Sequence, residues 1–235
     1  MSDQAQLLLP YYKNNMKYFI VILVSYLLGS IPFGLIINKL FFKEKDLRQA
    51  GSKNIGALNT LRVAGKEKGK ITGIIAFFLV FLLDGGKAVL SVYLAQSLIN
   101  TSLATALAAF FVVLGHNHSL FLKFKGGRGA ASLMGILFYF DWKAFFGWII
   151  LIFCFMVLFE ILAGRKLNKK FLKHAVSDQV AGRLAGEVFA LFWLYTYNIL
   201  IFYPALAATP LILLAHRDRL AEQIKNIKNK TYLND

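Results

Sequence analysis

The chain has 235 residues; 57% are hydrophobic, 15% aromatic and 17% charged, and the formal net charge is +15. So apolar a composition excludes disorder, and a single cysteine excludes a disulfide scaffold. High apolarity with strong basic charge points to a membrane protein with basic connections, not to a nucleic-acid binder, whose basic residues sit on a soluble surface.

A spanning helix needs about 20 mostly apolar residues. Apolar blocks predict helices over 18–42, 71–98, 103–121, 129–140, 144–163, 182–197 and 199–215. The fourth block is short; Asp84 and Lys87 interrupt the second, and Arg183 and Glu187 the sixth. Cys154, inside the fifth, reads as a small buried hydrophobe. The basic residues concentrate in 42–70, 122–129, 164–183 and the tail, whereas the connections near Asn100, Asp141 and Asn198 are short and almost uncharged. Seven spans place all four basic segments on one side; six would put two of them on the wrong side. The positive-inside rule makes that side cytoplasmic, with the N-terminus outside and the C-terminus inside, although Lys13 and Lys17 oppose this mildly. The expected protein is an all-α integral membrane domain, 1–235, of about seven transmembrane helices. It has re-entrant or interfacial cytoplasmic loops and a basic cytoplasmic tail at 216–235. The stretch 167–179 reads equally as an interfacial helix or a solvated loop. No cleavage site of the kind that follows a signal peptide is apparent.

Two basic connections carry unusual chemistry. The first, 46–62, combines Gly51, Ser52, Asn54, Gly56, Asn59 and Arg62. Glycines let backbone N–H groups approach an anion, and Ser, Asn and Arg add donors, so the segment suits a phosphate or, equally, a tight polar turn. The second, Lys125-Gly126-Gly127-Arg128-Gly129, opens an apolar helix whose N-terminus favours negative charge. It lacks Walker A spacing. Asp84 and Lys87, three residues apart on one helical face, are expected to face the bundle interior, as a structural pair or at a substrate. Glu160 and Glu187 read as structural. His116 and His118 lack an accompanying carboxylate or cysteine, so loop hydrogen bonding is expected there and no metal site. There is no Gly-x-Ser-x-Gly elbow, and no histidine has an aspartate five positions on.

The order and spacing of several motifs resemble a known family. Gly29-Ser-Ile-Pro32-Phe-Gly34, Asp46-Leu-Arg48, Gly51-Ser52-x-Asn54-Ile-Gly56-Ala-x-Asn59 and Leu61-Arg62 look like the first signature of the bacterial acyl-phosphate:glycerol-3-phosphate acyltransferases (PlsY). Leu83-Asp84-x-x-Lys87 resembles that family's interrupted helix. Gly115-His116 and Phe124-Lys125-Gly126-Gly127-Arg128-Gly129 resemble its phosphate loop, and His216-Arg217-Asp218 the start of its third motif. The resemblance implies a seven-span inner-membrane enzyme. It would transfer a fatty acyl group from acyl phosphate to the 1-hydroxyl of sn-glycerol 3-phosphate, giving lysophosphatidic acid and phosphate. It puts catalytic roles on Ser52, Arg62 and His216. Phosphate binding falls on Asn54, Asn59, Lys125, Gly126, Gly127, Arg128 and Gly129, and site support on Asp84, Lys87 and His116. No cofactor or metal is implied. The implied partners are membrane lipid, the two substrates and the enzyme that makes the acyl phosphate, with no nucleic acid.

The chain departs from the family pattern at Lys53 (glycine), Leu58 (threonine), Arg128 (lysine) and Arg219 (asparagine), and Asn226 and Lys228 stand where a Gly-x-Glu follows. A Cβ at position 53 is expected to hinder a left-handed backbone. Two other classes remain at this point: an inactive relative that binds and regulates, and an anion transporter.

Overall fold

The computed structural model describes residues 3–42, 46–163 and 179–229. Proline lacks an N–H and disfavours helix at the preceding residue, so Pro32 divides the first apolar block. Helix α1 (Asp3–Ser30) ends before it; α2 (Phe33–Ile37) resumes and runs into a π-helical turn, Asn38–Phe42. After the loop, α3 (Ala57–Lys68) joins α4 (Lys70–Leu98) through Gly69, whose φ is +95°. Then follow α5 (Ser102–Asn117), a 3-10 turn (Leu120–Leu122), α6 (Ala130–Phe140), α7 (Trp142–Leu162), α8 (Ala181–Tyr197), α9 (Ile199–Ala215) and α10 (Arg217–Lys228).

The short uncharged connections are helix caps. The Thr101, Asp141 and Asn198 side chains accept from the N–H groups of Ala104 (3.2 Å), Lys143 (2.8 Å) and Leu200 (2.9 Å), satisfying donors that a helix N-terminus leaves open.

Among the described residues every element is helical. All seven predicted blocks are helical, with ends within a few residues of those expected apart from the break at Pro32 and the start of α1, which lies at Asp3 and not at 18. Among the described residues four stretches are long and apolar enough to cross a membrane: Asn14–Phe41, Lys70–Leu98, Ser102–Leu122 and Trp142–Leu162. Helices α9 and α10, bent by 54° where they meet, pass the same test only when taken together. The eleven residues of α6 span only about 16 Å, against a hydrocarbon core of about 30 Å. The 167–179 stretch lies, except for Gln179, outside the described residues, as does the tail beyond 229.

Small residues set the packing. A Cβ added at Gly29 would lie 2.1 Å from the Val112 carbonyl oxygen, and one at Gly115 2.2 Å from that of Tyr26, so α1 and α5 touch backbone to backbone. Gly85 and Gly135 do the same for α4 and α6. The main core takes Val112, Leu133, Ile136, Trp148, Leu194 and Ile212 from five helices; a smaller cluster of Ile37, Ala57, Ala64, Ala76 and Val80 binds α3 to α2 and α4. Phe78, Leu82, Ile150 and Phe192 point outward, as lipid-facing residues do. Cys154 is also exposed, not buried as expected: an apolar run does not tell a core face from a lipid face.

Candidate active site

Asn59 holds the first loop in shape. Its two amide hydrogens are shared among the carbonyls of Leu47 (3.0 Å), Ala50 (3.0 Å) and Asn54 (2.8 Å), while its oxygen accepts from the Ser52 N–H at 2.7 Å. Gly51, at φ +58°, passes so close that a Cβ would lie 2.2 Å from that oxygen. Asn59 is therefore wholly buried and consumed by the loop; it does not reach the pocket, contrary to its expected role as a phosphate ligand. What it presents there is Ser52, Asn54 and the start of α3, with Arg62 further along that helix. The N-cap residue Gly56 gives α3 no side-chain cap.

The glycine loop also differs from expectation. The N–H of Gly126 donates to Asn117 (3.0 Å) and that of Gly127 to His116 (2.8 Å), both carbonyls at the C-terminal end of α5. Neither N–H is left for a phosphate. A Cβ would lie 2.0 Å from the His116 carbonyl oxygen at Gly126 and 2.1 Å from His116 Nε2 at Gly127. These glycines serve close packing against His116. Lys125 is exposed and outside the pocket. Arg128 and Gly129 do line it, and Gly129, left-handed at φ +83°, opens α6 without a side-chain cap.

Beneath lies a buried ionic cluster. Lys87 (5% exposed) pairs with Asp84 (1%) at 2.8 Å and donates to the Ile31 carbonyl at 2.9 Å, one residue before the proline break. It also donates to His116 Nδ1 at 3.0 Å, which leaves the ring proton on Nε2, facing Gly127. Ser132 Oγ donates to the Asp84 carbonyl at 3.1 Å, tying α6 to this point. Asp84 and His116 line the pocket, with Lys87 behind them.

The pocket is a cavity of about 230 Å³ that gathers Ser52, Asn54, Arg62, Asp84, His116, Arg128, Gly129 and His216. It adds two residues that were not assigned a site role from the sequence, Arg183 and Arg219. Arg183 reads in sequence as a lone cation interrupting an apolar block, and that interruption was the available signal; Arg219 was noted only as a departure. Burial and the neighbouring Arg219, Arg183 and Arg62 push the Arg128 guanidinium down to about 10, so it stays cationic at neutral pH. His216 is pushed down from 6.5 to about 4. Burial is the main cause, opposed by its hydrogen bond to Ile212, and Arg128, Arg183 and Arg219 lower it further. Its Nδ1 donates to the Ile212 carbonyl at 2.8 Å, so Nε2 is the acceptor nitrogen.

A second cavity of about 250 Å³ shares Leu58, Ala130, Met134, Arg183 and His216 with the first. The rest of its wall is Trp148, Ile149, Ile152, Phe153, Met156 and Ile212, with Glu187 as a further polar group. Among the described residues no group of three His, Cys, Asp or Glu could hold a metal ion.

A multi-pass helical membrane protein with an arginine-lined pocket beside an apolar cavity is built to hold an anionic head joined to an apolar tail. The profile of the family described as Glycerol-3-phosphate acyltransferase matches residues 19–226, and the chain belongs to that family. The glycerol-3-phosphate acyltransferase of Pelagibacter ubique is 38% identical over 92% of this chain and 96% of its own length. That of Streptococcus pneumoniae is 31% identical over 90% of each. A crystal structure of PlsY, an integral membrane glycerol 3-phosphate acyltransferase, in its glycerol 3-phosphate form shares the fold. Its TM-score is 0.66 at 24% identity, covering 89% of this chain and 93% of that one.

Proposed function

We propose that this chain transfers a fatty acyl group from acyl phosphate to the 1-hydroxyl of sn-glycerol 3-phosphate. The observation that carries this reading is convergence: the N-termini of α3 and α6 and four arginines meet in one cavity that shares a wall with an apolar one. Helix N-termini and guanidiniums are what a phosphate needs. Acyl phosphate is already activated, so the protein has mainly to position and neutralise.

The acyl chain lies in the apolar cavity, and the two phosphates among Arg62, Arg128, Arg183, Arg219 and the helix ends. The hydroxyl oxygen attacks the acyl carbonyl carbon, the bond from that carbon to the phosphate oxygen breaks, and inorganic phosphate leaves. Ser52 orients the acceptor or donates to the carbonyl oxygen. A phosphate oxygen, with a second ionisation near about 6, takes the hydroxyl proton. His216 Nε2 is the weaker acceptor in the free protein, because its ring is held near 4 until substrate charge offsets the arginines. Asp84, Lys87 and His116 hold the floor.

Arg219 lines the pocket, so the altered third motif supplies a cation where the family has asparagine; this favours an enzyme over an inactive relative. The close pairing of Asp84 with Lys87 gives no support to a conducting path.

The same reading places the protein in a bacterial inner membrane as seven crossings, with the N-terminus outside and the pocket and tail in the cytoplasm. Positive-inside asymmetry supports it, because the four arginines and Ser52 of the pocket all lie in the basic connections and the tail. A cysteine introduced at Lys225 in a Cys154→Ala background is expected to react with an impermeant thiol reagent only in inside-out vesicles; labelling of intact cells would sink that orientation.

The activity is tested with purified protein in lipid, given radiolabelled glycerol 3-phosphate and either palmitoyl phosphate or palmitoyl-CoA. Lysophosphatidic acid from palmitoyl phosphate alone is the expected result. Product from palmitoyl-CoA alone would overturn the donor, and no product from folded protein would overturn the activity.

A further inference from the structure

The starts of α8 and α10 are tied by two buried glutamines that the reaction above does not use. Gln223, on α10, is 5% exposed, and Gln179, just before α8, is fully buried. The side-chain oxygen of Gln223 accepts from the backbone N–H groups of Val180 and Ala181, both at 2.9 Å. Its amide donates to the side-chain oxygen of Gln179 at 2.8 Å, and that oxygen also accepts from the Gly182 N–H at 3.0 Å. The Gln179 amide in turn reaches Glu160 Oε1, on α7, at 3.3 Å. The first N–H groups of a helix have no intrahelical partners. Here three successive ones are satisfied by two glutamines, one of them from a helix that begins more than thirty residues later.

Next to this knot along both helices stand residues of the pocket. Arg183 follows Gly182 directly. Arg219 stands four residues before Gln223, one turn away on the same face of α10, and His216 opens that helix. Outward α10 shows Glu222, Ile224, Lys225 and Lys228. Rotating α10 by one residue would break both Gln223 bonds to α8 and turn Arg219 away.

We propose that Gln223 is a positioning residue, which registers α10 against the N-terminus of α8 so that Arg219 and His216 are held in the pocket beside Arg183. The proposal rests on reading that pocket as the site of glycerol 3-phosphate and acyl phosphate. A glutamine that only capped α8 would affect stability without touching substrate affinity, and its effect would not depend on Arg219.

The experiment uses the full chain in lipid. Gln223→Leu removes both hydrogen-bond functions and is expected to raise the KM for glycerol 3-phosphate at least about tenfold, with a smaller change in kcat. Gln223→Asn keeps the amide but is too short to reach Val180 and Ala181, and is expected to raise that KM at least about threefold. In an Arg219→Ala background, Gln223→Leu is expected to add less than about twofold, because residues acting as a unit are not additive. An unchanged KM in folded Gln223→Leu, or the same factor in the Arg219→Ala background, would overturn the proposal. If Gln223→Leu does not fold, a folded Gln223→Asn with an unchanged KM does so. Wild-type protein that makes no lysophosphatidic acid refutes the activity instead, and binding of inorganic phosphate then decides. A tenfold loss in Gln223→Leu, absent in the Arg219→Ala background, sustains the positioning role. Equal binding by wild type and variant, or none by wild type, overturns it.

Discussion

Lys53 occupies a backbone conformation that side chains with a Cβ avoid: its φ is 55°. The left-handed region costs about 1 kcal/mol or more for a non-glycine residue. Lys53 is exposed and outside the pocket, so Lys53→Gly is expected to stabilise the protein by about 1 kcal/mol while turnover stays within about twofold; a lower Tm in detergent would refute it. His216 sets a pH dependence. Its folded value of about 4 lies below its ordinary 6.5, so between those values the unfolded chain binds a proton that the native protein refuses. Its contribution is complete above pH 6.5 and is lost as the pH falls towards 4. Tm measured across that window should fall less steeply in His216→Gln than in wild type; an equal slope would contradict the depressed value. Side-chain identity made Ser52, Asn54, Arg62, Arg128 and His216 legible through their motif spacing, and all five line the cavity. Asn59 instead turns to its own loop, because an amide serves a carbonyl there as readily as a phosphate and sequence does not say which way it turns. Arg183 and Arg219 were missed because their nearness to Arg62 and Arg128 exists only after distant helices have packed.

The apolar helices were the most legible features, with Thr101, Asp141 and Asn198 as caps between them; the polar α3 and α10, inside the first basic connection and the tail, carried no apolar signal. The break at Pro32 follows from proline's chemistry, but that Lys87 would reach the Ile31 carbonyl there does not. The glycine loop misled because glycine allows two close approaches, to a ligand or to the protein's own backbone, and the second operates at Gly126 and Gly127. A methyl group at Gly127 must displace the His116 ring, which is buried and held by Lys87. Gly127→Ala is therefore expected to lower Tm and to reduce kcat and raise KM together, each several-fold. A rise confined to the KM for glycerol 3-phosphate, with Tm unchanged, would restore the backbone-nest role instead.

At the level of the molecule, all four basic segments send an arginine to one pocket, Arg62, Arg128, Arg183 and Arg219, and the apolar helices close it with Phe77, Phe81, Asp84, His116 and Met134. Charge placement says nothing of length, and the proposal of seven crossings counts the eleven-residue α6 on that placement; in the fold α6 brings Ala130 and Ala131, with Gly129 before them, to the cavity. The whole arrangement concentrates positive charge beside an apolar cavity, where the proposed reaction brings two phosphates together. Removing one guanidinium from such a site is expected to cost at least about 3 kcal/mol of transition-state stabilisation, or roughly a hundredfold in rate. The most direct test is kcat/KM for lysophosphatidic acid formation from palmitoyl phosphate by Arg62→Ala and wild type in lipid, with Tm measured on the same samples. A loss of about a hundredfold or more at unchanged Tm is the predicted result. A folded Arg62→Ala within about threefold of wild type would contradict the assignment of this pocket as the site of acyl transfer.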